Sequence, residues 1–275
     1  MTGSGNDALI VDADCHISSS RFDGLALTAS DLIGHMDQAG VDKALIWLKP
    51  PYDKNIDPEN RAIHDAVKAH PGRFLGFGWA NPRLGLDHAK DMVKRCYEEY
   101  GLLGIKFNGA QDDYVIDDEE VAMPAIEYAA RFGKPLAFHI GGDFPENTHP
   151  YRLGRIARRF PEVKFILIHI GGASFPPLDR SSIETAKANP NISVIGSAVH
   201  ERAIMAAIDV LGAERVCFGS DMPFFLMHAR LAMYRALLEG RPQAEINAIL
   251  GDNIRRIAGD LPADEASAGA SAGAR

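Results

Sequence analysis

Lys164–Gly172 reads KFILIHIGG: four consecutive apolar residues run into a histidine, and two glycines close the stretch. A short apolar run without alternation, bounded by turn residues, is the pattern of a strand buried on both faces of a parallel sheet. Leu136–Gly142, LAFHIGG, repeats the arrangement one unit earlier, and Ala44–Leu48, ALIWL, has the same character. Working outward, runs of this kind recur at Leu9–Asp12, Lys43–Leu48, Phe74–Trp79, Leu103–Phe107, Pro135–His139, Lys164–His169, Ile192–Gly196 and Arg215–Gly219. Between them lie amphipathic stretches such as DLIGHMDQAG (31–40) and ERAIMAAIDVLG (201–212), several of which stop at glycine, a helix C-terminal signal. Eight strand–helix units predict an α/β fold, a single-domain (β/α)8 TIM barrel over residues 8–260, with some distortion allowed. An open doubly wound sheet is the weaker reading. Residues 261–275, rich in Ala, Gly and Ser, have no apolar periodicity and are expected to be a disordered tail.

Composition agrees with one globular unit. The chain has 275 residues, 46% hydrophobic and 24% charged, with a net charge of −8. That balance gives no reason to expect nucleic acid or an anionic membrane as partner. No apolar stretch nears the ~20 residues that span a bilayer, and the N-terminus has no basic segment followed by an apolar run. Cys15, Cys96 and Cys217 are widely spaced and make no CxxC pair, which points to a reducing compartment. The expectation is a cytoplasmic protein that binds a small molecule, with assembly into a homo-oligomer left open.

Polar residues gather at the C-terminal ends of these apolar strands, where a barrel places its active site. The first strand runs into Asp12-Ala13-Asp14-Cys15-His16, and simple alternation puts Asp12, Asp14 and His16 on one face. The fourth ends GIKFNG, with Lys106 and Asn108; the fifth and sixth end at His139 and His169; the eighth ends GSDMPF, with Asp221. Any one of these histidines could be a core residue bonded to a backbone carbonyl, and Asp221 alone could serve a turn. Three imidazoles and at least two carboxylates left unsatisfied together would cost several kcal/mol. A divalent cation satisfies them jointly, since imidazole and carboxylate are its common ligands. The Gly-Gly pairs at 141–142 and 171–172 would let the backbone approach a ligand closely. Lys49, Arg21, Lys106, His149, His200 and Arg230 are candidates to meet a substrate anion, and Phe144, Phe175, Phe224 and Phe225 to wall an apolar pocket, with surface and core roles as the alternatives. Cys217 has the parity of Asp221 and reads as a small buried hydrophobe.

The set Asp14-x-His16, GIKFNG, His139, HIGG at His169 and GSDMPF at Asp221 resembles the amidohydrolase superfamily over about Ile10 to Ile257. The resemblance is to its "amidohydrolase 2" branch of metal-dependent hydrolases and nonoxidative decarboxylases, related to aminocarboxymuconate semialdehyde decarboxylase. It implies that Asp14, His16 and His139 bind one divalent ion, Zn2+ first and Mn2+ second. Asp221 is implied as ligand and proton carrier, and His169 as the catalytic group facing the reacting atoms. Lys106, a free amine near the substrate, implies one ion instead of two, and Asn108 and Phe224 are taken as further substrate contacts. Two departures stand out: Asp14 replaces the His or Glu common in the branch, and Asn108 replaces the histidine of its usual GIKLHP string.

Such a site activates water at neutral pH and passes its proton through Asp221, which is hydrolysis of a lactone, ester or amide. It equally serves nonoxidative decarboxylation of a small aromatic or muconate-type acid. The family's decarboxylases generally carry added loops, and this chain is compact, so hydrolysis is the main expectation and decarboxylation the alternative. A catalytically silent barrel with a binding role is the reading of another class; ligand types intact at every strand end weigh against it.

Overall fold

The computed structural model describes residues 8–18, 26–50, 56–141, 144–172 and 177–261. Arg21, Gly142, Phe175, the tail 262–275 and the middle of the loop after the second strand lie outside these residues.

Eight parallel strands follow one another in a single sheet in chain order: β1 (Val11–Ile17), β2 (Lys43–Leu48), β3 (Phe74–Trp79), β4 (Gly104–Phe107), β5 (Leu136–His139), β6 (Phe165–Ile168), β7 (Ile192–Ile195) and β8 (Val216–Cys217). The ring closes between β8 and β1 through backbone N–H groups of Ala13 onto Phe218 (2.9 Å), of Asp221 onto Asp14 (2.8 Å) and of His16 onto Met222 (2.7 Å). This is the expected TIM barrel. Helices connect successive strands; among them Ala29–Ala39 starts on a Thr28–Asp31 capping box and stops at Gly40 in the left-handed conformation.

Two packed layers follow from strand alternation. Val11, Ala13, Leu45, Trp47, Phe77, Ala137, Ile166, Ile168, Ile195 and Cys217 fill the barrel interior. Ile46, Ile105, Phe107, Phe138 and Leu167 face outward into the helix layer. Ile254, Ile257 and Ala258 of the last helix (Asn253–Ala258) join the interior cluster with Leu9 and Leu103, which precede β1 and β4, and so plug the N-terminal end. The interior is therefore closed below and polar above.

β1 corrects the sequence reading in two ways. It begins and ends later than Leu9–Asp12, because Asp12, Asp14 and His16 are buried despite their polarity. Its register also slips between Asp12 and Cys15, a β-bulge. Ala13 packs inside the barrel and Cys15 outside it. Simple alternation therefore fails across the bulge, and Asp12 does not share the face of Asp14 and His16.

Gly141, Gly171 and Gly172 bring two loops together. A Cβ built on Gly141 would lie 2.7 Å from the Gly172 Cα, and Gly171 and Gly172 hold φ of 96° and 94°. The loops after β5 and β6 thus touch backbone to backbone. Replacing Gly141 with Ala is expected to lower the unfolding free energy by about 1–3 kcal/mol, since the opposing group is backbone and cannot rotate away. A denaturant midpoint equal to that of the unaltered protein would show that these loops part freely.

Candidate metal centre and active site

Asp14, His16 and Asp221 come together at the C-terminal mouth of the barrel, each buried, each with a ligand-type atom within 4.8 Å of the others. They are the one such group of three among the described residues. The His16 Nε2 atom lies 3.6 Å from Asp14 Oδ1 and 3.4 Å from Asp221 Oδ1. His16 Nδ1 is 2.7 Å from the Leu48 carbonyl oxygen, which only accepts, so Nδ1 carries the hydrogen and Nε2 the lone pair. That is the tautomer a metal-binding imidazole needs. Asp14 Oδ1 is buried with no hydrogen-bond partner, the state expected of an oxygen meant for a cation. The donor set fits a divalent ion.

The backbone makes unusual turns to build this group. By parity with Ile166 and Ile168, His169 belongs on the outside of β6, yet φ at His169 is +71° and the chain turns its side chain back to the mouth. Asp221 also has positive φ, +64°, as its N–H reaches Asp14 and its carbonyl accepts from Phe224 N–H. Non-glycine residues rarely adopt this region, and each such residue costs of order 1–3 kcal/mol. Strain of this sort persists where surrounding contacts impose it.

The electrostatics separate the two acids. Burial pushes the Asp221 carboxyl up to about 7, and the neighbouring Asp14 charge adds to the rise. Burial would raise Asp14 as well, but Lys106, then His169, then His16 and the Ser197 hydroxyl outweigh it and hold Asp14 below its ordinary range. His16 is driven down to about 3, by burial first and Lys106 second, and burial likewise lowers His169. The site thus pairs an ionised Asp14 with neutral imidazoles and a second carboxyl able to hold a proton near neutrality.

Lys106 is 1% exposed, its Nζ 3.8 Å from the centre of the Trp47 ring and 5.3 Å from that of Trp79. Indole faces attract an ammonium group. The Trp47 N–H edge donates to His16 Nε2 at 3.1 Å, so this one ring contacts both groups. His139 stands edge-on to His169 with ring centres 4.9 Å apart, at the same mouth but outside the three-residue cluster. Phe224, 41% exposed, packs edge-on against His16 at 5.5 Å and forms part of the rim. Asn108 does something other than expected with its side-chain oxygen, which accepts from the N–H groups of Ala110 and Gln111 (both 3.1 Å) and so fastens the loop after β4.

Of the remaining anion candidates, His149 caps the helix Pro150–Arg159, His200 is exposed, and Arg230 donates to the Val199 carbonyl beside Phe225. Lys49 is buried and donates to the Pro50 carbonyl. Phe144 and Phe225 are exposed, and Cys217 is an inert buried thiol whose ionisation burial pushes up to about 12. Trp47, Trp79 and Ser197 were not singled out from the sequence. Parity was the available signal: Trp47 follows inward Leu45, and Ser197 follows inward Ile195.

The family model described as amidohydrolase matches residues 11–259. The chain belongs to the amidohydrolase family. A comparison with curated proteins returned no match. Among solved structures, 5-carboxyvanillate decarboxylase from Sphingomonas paucimobilis is similar at 19% identity and a TM-score of 0.72, over 91% of this chain and 98% of that one. A 2,6-dihydroxybenzoate decarboxylase from Rhizobium is similar at 19% identity and a TM-score of 0.74, again over 91% and 98%. A dihydroxybenzoic acid decarboxylase from Polaromonas, with bound manganese and the inhibitor 2-nitroresorcinol, matches at 17% identity and a TM-score of 0.73, over 94% and 99%. At these identities the likeness shows the fold.

These findings overturn hydrolysis as the main reading, because the neighbours are mostly metal-dependent decarboxylases of aromatic acids. The argument from compactness fails with it, since the likeness runs over nearly the whole of each decarboxylase chain. Zinc is likewise not the ion these neighbours name. No helix among the described residues is long and apolar enough to cross a membrane.

The raised Asp221 carboxyl has a consequence for stability in protein dialysed against chelator. Unfolded, the group ionises near 4; folded, near 7, so stability is lost as pH rises from 4 to 7. Asp221→Asn has no such loss. It should unfold at the same denaturant concentration as the unaltered protein near pH 4 and be more stable above pH 7, by on the order of 2–4 kcal/mol. Parallel stability curves from pH 4 to 8 would contradict the raised carboxyl.

Proposed function

We propose that this chain is a nonoxidative, divalent-metal-dependent decarboxylase of a small aromatic or muconate-type acid. The observation that carries the proposal is the buried Asp14–His16–Asp221 group beside the indole-held Lys106. The family membership and the decarboxylase neighbours support it.

In this reading Asp14, His16 and Asp221 hold the ion, with His139 as a further donor from β5 across the barrel. Two carboxylate oxygens and one imidazole form a relatively hard donor set, which suits Mn2+ better than a thiolate-rich site would. Manganese in the Polaromonas neighbour supports the same choice. When bound, the ion supplies positive charge that orients the acid and stabilises negative charge on its oxygen atoms.

The chain's own residues do the rest. Lys106, its ammonium against the Trp47 ring face, offers positive charge to the substrate carboxylate. Phe224 offers an aromatic edge at the rim for the substrate ring. Asp221 carries the proton: it passes to the ring carbon bearing the carboxylate, the C–C bond then breaks, its electron pair restores the ring, and carbon dioxide leaves. His169, neutral and buried, faces the same space from just beyond β6 and accepts a hydrogen bond from the reacting group.

Protein loaded with Mn2+ should release carbon dioxide from at least one of 2,6-dihydroxybenzoate, 5-carboxyvanillate and a muconate-type acid. Removal of the ion by chelator should stop the release, and Asp221→Asn should reduce it at least about 100-fold with the fold retained. Absence of carbon dioxide from every acid of such a panel, with Mn2+ shown to be bound, would sink the proposal.

A further inference from the structure

Ser197 continues the inward row of β7 two residues beyond Ile195, and it is fully buried. Its hydroxyl sits between His169 and Asp14: Oγ is 2.9 Å from His169 Nδ1 and donates a short hydrogen bond to Asp14 Oδ2. His169 Nδ1 also lies 3.3 Å from the Ser197 carbonyl oxygen and 3.7 Å from Asp14 Oδ2.

Counting hydrogens fixes the direction of every bond. A carbonyl oxygen only accepts, so His169 Nδ1 must carry a hydrogen. Ser197 has a single hydroxyl hydrogen, and the ionised Asp14 oxygen, which also only accepts, takes it. The chain therefore runs from His169 N–H to the Ser197 oxygen, and from the Ser197 O–H to Asp14 Oδ2. Two consequences follow at the far atoms. His169 presents its Nε2 lone pair away from Ser197. Asp14 has Oδ2 engaged, which leaves Oδ1, the buried oxygen without a hydrogen-bond partner, as the one to face His16 Nε2. The packing around the pair is close: a Cβ built on Gly219 would lie 3.1 Å from the Asp14 Cβ and 3.2 Å from the Ser197 Cβ. Ala198, next in the chain, holds a φ of +52°, a conformation a non-glycine residue keeps only where its surroundings impose it.

We infer that Ser197 is a positioning residue that selects the tautomer of His169 and commits the Oδ1 oxygen of Asp14 to the metal. The inference rests on the reading of Asp14 as a metal ligand, and it is independent of which reaction the enzyme performs. Second-layer hydrogen bonds of this kind typically change metal affinity 10–100-fold when removed.

The test compares Ser197→Ala and Ser197→Thr with the unaltered protein. Free Mn2+ is measured by electron paramagnetic resonance, and the imidazole nitrogens by long-range 1H–15N spectra, with His169 assigned through its loss in His169→Gln. Ser197→Ala should bind Mn2+ at least about tenfold more weakly and lose the pure Nδ1–H pattern of His169, while its denaturant midpoint stays near that of the unaltered protein. Ser197→Thr, which keeps the hydroxyl, should restore both. Should the Ala variant fail to fold, Ser197→Cys, of nearly equal size and a poor donor, takes its place. Unchanged Mn2+ affinity with an unchanged His169 tautomer overturns the inference. If the unaltered protein itself binds no Mn2+, the metal reading of Asp14 falls and takes that half with it, and the histidine spectra still decide whether Ser197 governs His169.

Discussion

Two carboxylates and an imidazole share one buried point at the mouth of this barrel, and the surrounding structure answers to that constraint. Two unit negative charges within 4.8 Å of one another repel by about 3.5 kcal/mol at an effective dielectric of 20, a large part of the 5–15 kcal/mol that holds an ordinary domain together. The chain meets the cost by division of labour. Asp14 is kept ionised by Lys106 and the Ser197 hydroxyl, whereas Asp221 yields and retains its proton to about neutral pH. Asp12, the other buried acid of β1, also sits near 7, for burial again outweighs the bonds it receives from Ser220 and Asp14.

Ideal barrel geometry would not produce this arrangement. Val11 and Ala13 face inward, so regular alternation along β1 would leave Asp14 and His16 outside with Asp12, and the bulge re-aims the strand so that Asp14 and His16 both reach the interior. Left-handed backbone at His169 and Asp221 makes a similar correction at β6 and after β8. Each device departs from the lowest local energy in order to aim one side chain. The hydrogen bonds that close β8 onto β1 run through these same residues: Asp221 N–H bonds Asp14 and His16 N–H bonds Met222. Closing the barrel and assembling the site are one event.

The fold was legible because strands buried on both faces have no need to alternate; ALIWL and FILI announce themselves by apolar continuity and glycine or proline punctuation. β1 was placed short because its second half is polar, and hydropathy has no signal for a strand whose polar residues are buried by one another. The site residues were legible as types at strand ends. Their directions were legible only where the backbone stayed regular, as at Lys106, His139 and Cys217. Where it did not, alternation misled: it grouped Asp12 with Asp14 and would have sent His169 outward. Trp47 and Ser197 obey alternation and could have been found by it, but one resembles core and the other a loop hydroxyl, and neither type alone signals chemistry. Asn108 had the right address, yet two backbone N–H groups nearby claim its oxygen.

Charge balance at the mouth argues for the direction of the proposed chemistry. With Asp221 holding the proton it is to deliver, Asp14 contributes one negative charge and Lys106 one positive. A divalent ion held there would leave the site two positive charges in excess. A monoanionic acid offsets half of that excess, so electrostatics favour its entry. Decarboxylation consumes the anion: carbon dioxide and the protonated ring are both uncharged, and the attraction that bound the acid disappears with the bond that breaks. Cleavage of a lactone or ester runs the other way, turning a neutral substrate into a carboxylate that this site would hold more tightly than what it started from. Trp47 steadies the ammonium of Lys106 on its ring face, and its N–H edge donates to the His16 Nε2 lone pair, a bond that an ion on that nitrogen would replace.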